Sequence, residues 1–164
     1  MAGRRSWMLV ALAAGVGVPV GGGEAQEAGI VGTWVVEYPA RVTNLNGVES
    51  VEMGRARMTL VQRGDSVTGR WLALDASPAD GASRERELRG TARGTHVSLA
   101  SEGKAVVNTN GEERSVPLTV TLELAVEGDT LSGTQVASSP DWPMSAPPRP
   151  VKGTREKPPA GSGA

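Results

Sequence analysis

One short pattern recurs three times and dictates most of what this chain can fold into. Gly64-Asp65-Ser66-Val67-Thr68 returns as Gly94-Thr95-His96-Val97-Ser98 and as Gly128-Asp129-Thr130-Leu131-Ser132, at offsets of 30 and 34 residues. Each copy lies between two segments in which apolar and polar residues alternate, so each reads as the tight turn of a β-hairpin. Its Gly supplies the positive φ that such a turn requires, and the Asp or Thr beside it can bond nearby backbone. A period also raises the reading of a stacked-repeat solenoid. The segments between the turns share no longer consensus, which disfavours it.

Alternation is clearest over 116–126. There Leu118, Val120, Leu122, Leu124 and Val126 fall on one face, and Thr119, Thr121, Glu123 and Ala125 on the other. A strand with one buried face has this pattern. Ala56, Met58, Leu60 and Gln62 oppose Arg55, Arg57, Thr59 and Val61 in the same manner. Glu85 to Arg89 comes nearest to a helical period, and Gly90 cuts it short. Counting gives eight strands, near 30–40, 51–62, 66–75, 84–93, 95–103, 115–127, 130–138 and 149–156. Longer connections, Arg41–Ser50, Ala76–Ser83, Lys104–Arg114 and Ser139–Pro148, join the pairs that the tight turns do not. In a meander, successive connections alternate between the two ends. The tight turns then shut one end, and the long connections surround the other. The expected fold is all-β: an eight-stranded antiparallel up-and-down meander barrel over 26–156, closed so that no strand edge is left exposed. A two-sheet sandwich of the same strands is the alternative.

The chain has no Cys and no Phe, and its only aromatic residues are Trp7, Trp34, Trp71, Trp142 and Tyr38. The core must therefore be built from Val, Leu, Met and Ala, without disulfides. Residues 157–164, Lys-Pro-Pro-Ala-Gly-Ser-Gly-Ala, cannot form a core and are expected to be a disordered tail. Residues 1–25 read as a signal peptide. Arg4 and Arg5 form its positive end, Trp7 to Val20 an apolar stretch, and Gly23-Glu24-Ala25 a small-x-small cleavage site. The apolar stretch is shorter than the ~20 residues a bilayer span needs. The alternative is an unprocessed N-terminal anchor, and the Arg pair also invites a twin-arginine route. The expected location is periplasmic or secreted, with no integral membrane span after processing. With 17 basic against 18 acidic residues and no basic run, the electrostatic footprint of a nucleic-acid binder is missing.

Gly32-Thr33-Trp34 opens the first strand, and Gly153-Thr154-Arg155 closes the last. This pair resembles the signature of the lipocalin-like, or calycin, barrels. The resemblance implies that Trp34 sits at the closed base and that Arg155 packs across its indole. Meander topology independently puts both residues at the tight-turn end. Avidins share an opening Gly-Thr-Trp. Their biotin sites need further Trp residues and an Asp, and Trp71 and Trp142 do not reproduce that set.

Little here points to catalysis or metal binding. His96 is the only His and stands beside a tight turn, so the common zinc sites cannot be assembled. No Gly-x-Ser-x-Gly elbow and no phosphate-cradling motif occurs. The segment Asn108 to Glu113 lacks the first-position acid and the closing bidentate Glu of a calcium loop, and Asn110-Gly111 is more simply a turn. Glu37, Glu52 and Glu123 lie on strands, with Glu37 and Glu123 on the outer face. Arg63-Gly64-Asp65 matches an adhesion triplet, and the repeat explains it as one of three equivalent turns. No catalytic residue, metal or cofactor is implied.

The inward set, taken from the parity of Trp34, Val36 and Tyr38, is apolar and rich in small residues. An eight-stranded barrel can be filled by side chains or hold one small ligand. The first reading is therefore a small apolar or amphipathic ligand in the interior. Tyr38, Trp142 and Met144 would line the mouth, with Trp71 and Met58 deeper. Trp142 and Met144 can equally fold over the mouth as a plug. The second reading is a filled barrel that serves as a structural or protein-interaction module with an envelope partner. An envelope enzyme is the third.

Overall fold

The computed structural model describes residues 29–75, 84–109, 111–141 and 146–157. Eight strands follow one another: β1 (Gly32–Leu45), β2 (Val48–Arg63), β3 (Ser66–Ala73), β4 (Glu85–Arg93), β5 (His96–Thr109), β6 (Glu112–Glu127), β7 (Thr130–Ser138) and β8 (Arg149–Arg155). Each pairs antiparallel with its neighbours in sequence, and β1 pairs β8, so the sheet closes into an up-and-down barrel. Glu85–Arg89, the stretch nearest to a helical period, is strand.

The sequence repeat has a structural meaning. Gly64, Gly94 and Gly128 take φ of 60°, 60° and 59°, and each opens a two-residue turn. Positive φ at the first turn residue alone suits a type II′ hairpin, whose twist matches that of its strands. The residue after each Gly then accepts the same backbone hydrogen bond from the strand beyond the hairpin. Ala92 N donates to Asp65 O at 2.9 Å, Val126 N to Thr95 O at 2.9 Å and Arg155 N to Asp129 O at 2.8 Å. Glu156 N completes the ring by donating to Thr33 O at 2.8 Å. The three turns thus sew the closed end together, as well as reversing the chain.

At this end Trp34 is fully buried, and its indole N–H donates to Ile30 O at 2.9 Å. The guanidinium carbon of Arg155 lies 4.2 Å from the centroid of the Trp34 ring. A cation over an indole face contributes about 0.5–2 kcal/mol. The same guanidinium donates to Val31 O and Gly29 O, both at 2.7 Å, and to Asp129 at 3.1 Å. Gly32 has φ 132°, a backbone conformation that a larger residue rarely adopts, and a Cβ there would stand 2.8 Å from Arg155 Nη1, so the guanidinium would have to shift.

Inward parity holds along the barrel. Val36, Ala56, Met58, Leu60, Val67, Leu99, Leu122 and Val151 join Trp34 in one cluster, each 0–2% exposed. Side chains buried to this degree make a close-packed lower barrel. The inward glycines do not open space there. A Cβ on Gly90 would overlap the Ser98 carbonyl, and one on Gly133 the Glu123 carbonyl. These glycines let adjacent strands coil tightly around a small core. The outer wall carries Arg57, Arg70, Glu87, Arg89 and Lys152, all exposed.

The open end departs from the expectation of four long loops. Arg41–Ser50 and Lys104–Arg114 are for the most part strand. The β1–β2 ladder runs out to Leu45 opposite Val48, around Asn46-Gly47 with φ of 54° and 81°. Positive φ at both turn residues is the type I′ hairpin that Asn-Gly favours. The β5–β6 ladder likewise runs to Thr109 opposite Glu112, beside Gly111 with φ 86°. β-Branched residues at 42, 43, 48, 51, 106, 107 and 116 extend the pairing up to these turns. Two hairpin arms therefore rise from opposite sides of the rim. Of the other two connections, Ala76–Ser83 lies outside the described residues, and Ser139–Pro148 is described only in part.

These contacts set stability expectations for denaturant unfolding. Trp34→Ala should cost about 3–5 kcal/mol, as for a buried core aromatic. Gly90→Ala should cost about 1–3 kcal/mol or more, since a strand must shift. Gly103→Ala, whose Cβ would find its nearest neighbour at 3.8 Å, should stay within about 1 kcal/mol of the parent. Equal stability of Gly90→Ala and the parent would contradict the coiling role.

Candidate functional site at the open end

Above the packed core the inward positions change character. Tyr38 follows Trp34 and Val36 on β1, and Trp71 follows Val67 and Gly69 on β3. Their rings meet edge to face, with centroids 4.8 Å apart and planes at 78°. Trp71 is 7% exposed and Tyr38 is half-buried, so the pair roofs the core.

The register then brings polar groups inward. Arg86 pairs with Trp71 across β3–β4, which puts both on the same face. Its guanidinium reaches over the gap left by Gly103 of β5: a Cβ there would lie 3.8 Å from Arg86 Nε. Arg86 forms no ion pair among the described residues. Ser101, two positions below Gly103, is 5% exposed. Gln135 of β7 donates from Nε2 to Pro39 O at 3.4 Å. Arg149 opens β8 in phase with the inward Val151, and both its Nη atoms donate to the Glu49 carboxylate at 2.9 Å. That places Glu49, on the β1–β2 arm, against the rim.

The electrostatics follow from this placement. Burial pushes the Tyr38 phenol above its ordinary 10.0, opposed by the Arg86 cation and by the Trp71 indole. Tyr38 is therefore a neutral donor throughout the ordinary pH range. The Arg149 hydrogen bonds hold Glu49 below the usual carboxylate range. A depressed carboxylate favours the braced arm at neutral pH, and that contribution fades as pH falls through the folded-state value, below 4.5.

The residues expected to bind a ligand divide. Tyr38 and Trp71 come together at the mouth. Met58 is 0% exposed in the packed core, so a ligand reaches it only by displacing its neighbours. Trp142 and Met144 lie outside the described residues. The uncharged, apolar interior read from the sequence needs correction at this level, because Arg86, Gln135 and Arg149 face inward. The alternation that identifies Leu88 and Val151 reaches Arg86 and Arg149 two residues further on, and that signal was sufficient to find them.

Elsewhere the surface offers little chemistry. A depression of about 400 Å³ on the wall between β3 and β4 includes Thr68, Arg70, Glu85, Glu87 and Arg89 in its lining. Its charges already neutralise one another through Arg70–Glu85 and Arg89–Glu87. Glu37 and Glu123 face outward, and Glu123 accepts from Ser98 at 2.6 Å. His96 is exposed. Among the described residues no three His, Asp or Glu side chains are placed to hold a metal, and no helix is long and apolar enough to cross a membrane. Comparison with protein-family models, curated proteins and solved structures finds no match.

Because Tyr38 is the sole tyrosine, its ionisation can be followed directly by ultraviolet absorbance. The midpoint should lie above 10.0 and should rise further in Arg86→Gln, which removes the cation that lowers it. A midpoint unchanged by that substitution would place Arg86 away from Tyr38.

Proposed function

We propose that this is an exported small barrel that binds an amphipathic anion at its open end. The observation that carries the reading is Arg86, an inward guanidinium without an ion pair among the described residues, beside the Tyr38–Trp71 pair. Such a group is a strong, directional receptor for a carboxylate, and an aromatic floor beside it suits an apolar tail. The filled lower barrel limits the ligand to the upper part, so a small molecule or the head of a longer chain is the suitable class. The Trp34–Arg155 base is similar to that of the lipocalin-like barrels and is consistent with this role. Export rests on residues 1–25, and a periplasmic or secreted location follows from it.

A second reading is favoured by a different observation. Val42, Leu45, Val48, Val51 and Met53, all on the β1–β2 arm, are 39–73% exposed. Exposed apolar side chains concentrated on one arm suit a structural or protein-interaction module of the cell envelope. Neither reading assigns a catalytic residue, a metal or a cofactor.

Calorimetry with dodecanoate and dodecanol separates the two readings. Dodecanoate should bind, dodecanol should bind much more weakly, and Arg86→Gln should weaken dodecanoate by roughly tenfold, about 1.4 kcal/mol. Equal binding of acid and alcohol, or an Arg86→Gln variant that binds like the parent, would leave the interaction module in front. Intact mass of the secreted protein tests export: the mature chain should begin at Gln26, and retention of Trp7 would refute processing.

A further inference from the structure

We propose that Ser101 and Gly103 complete the seat for the ligand's head group, a carboxylate held in the barrel wall between β4 and β5. One of its oxygens lies on the Arg86 guanidinium and the other accepts from the Ser101 hydroxyl, over the space that Gly103 leaves. This seat belongs to the anion site proposed above and rests on that reading.

The wall is split at this level. The β3–β4 ladder runs on to Leu72 opposite Glu85, and the β5–β6 ladder to Thr109 opposite Glu112. The β4–β5 ladder between them stops at Arg89 opposite Ala100. Carrying its register past that point sets Leu88 beside Ser101 and Arg86 beside Gly103. Leu88 is 2% exposed and closes the floor of the split. Above it the two strands run on without a ladder, and Arg86 is the side chain that reaches across.

Packing explains neither residue of β5 in this split. Ser101 is 5% exposed, and its side chain makes no hydrogen bond among the described residues. The other buried serine, Ser139, accepts from Asp141 N at 3.2 Å. A buried hydroxyl is costly unless a partner satisfies it. Among the described residues no sealed side-chain oxygen lacks a partner, so the Ser101 hydroxyl, inward like Leu99 below it, opens onto the mouth. Gly103 is equally unexplained. At every other strand glycine a Cβ would come to 3.0 Å or closer to a neighbour. At Gly103 the nearest atom would be Arg86 Nε at 3.8 Å, and its φ is not positive. What glycine does there is leave space beside a guanidinium that has no ion pair among the described residues. Ser101 and Gly103 stand one two-residue step apart on the same face, about 6.6–6.8 Å. A carboxylate bonded at both oxygens, at about 2.8 Å each, spans a distance of that order. The charge count agrees: Arg86 brings one positive charge and a carboxylate one negative, while Arg149 is already taken by Glu49.

Calorimetry of the full mature chain with dodecanoate tests the seat. Ser101→Ala removes only the hydroxyl and should weaken binding roughly fivefold, as for one hydrogen bond lost. The same change in an Arg86→Gln background should weaken it by less than about twofold, because two groups that hold one carboxylate do not act additively. Gly103→Val fills the space with a residue that suits a strand, and should weaken binding by about tenfold or more. Denaturant unfolding checks the fold of each variant, and if Gly103→Val is destabilised the Ser101 comparison decides alone. Parent-like binding by Ser101→Ala, with Arg86→Gln still weakened, would overturn the seat and leave the anion site standing. Equal losses from Ser101→Ala in both backgrounds would overturn the sharing of one carboxylate by Ser101 and Arg86. No binding of dodecanoate to the parent would instead overturn the anion-site reading, and the seat with it.

Discussion

Arg155 lying across Trp34 is the contact on which the barrel depends, because it joins the first strand to the last. A meander is a linear series of hairpins until its ends meet. Here the ladder between β1 and β8 is short, from Trp34 opposite Arg155 to Glu37 opposite Lys152. Hydrogen bonds from Arg155 to the backbone at 29 and 31 and to Asp129 reinforce that seam. They also fix the lead-in whose Ile30 carbonyl satisfies the buried indole N–H of Trp34. With no disulfide available and no Phe, the closed base and the Val- and Leu-filled interior above it must carry the fold.

Closure from the base also explains why the two ends differ. The lower end is constrained by three equivalent turns and a ring of backbone hydrogen bonds, and its inward side chains are buried. The upper end is released from those constraints. The outer ladders of its two hairpin arms pair each arm's own strands, and its inward residues include Arg86, Gln135 and Arg149. A chain that needs a rigid support and an adaptable rim can obtain both from one sheet by letting some hairpins outrun their neighbours.

Most of the fold was legible in the sequence because it rests on period-two alternation and on turns whose glycines require positive φ. The parity that starts at Trp34 assigns Met58, Leu99, Leu122 and Leu131 to the core without error. The hairpin arms were harder to see. Asn46-Gly47 and Asn110-Gly111 are visible turn markers, but the flanking residues mix charged with apolar side chains; the β1–β2 arm is exposed on both faces and the β5–β6 arm is only half-buried on one, so their alternation carries little signal of pairing. The candidate site was legible in part. Tyr38 and Trp71 follow from parity. Arg86 follows from the same parity once it is carried past the last apolar residue. The Glu49–Arg149 pair is not readable at all, because its side chains stand 100 residues apart and meet only in the closed barrel.

The account's central claim is that a polar, anion-binding mouth stands over a core too tightly packed to admit a ligand. Nuclear magnetic resonance of the mature protein, with dodecanoate added, tests both halves at once through the Arg Nε–H and Met methyl signals. The account predicts that the Arg86 Nε–H signal moves on titration while the Met58 methyl signal stays fixed. Movement of the Met58 methyl with Arg86 unchanged would contradict it, and would mean that the lower barrel opens and the mouth does not bind.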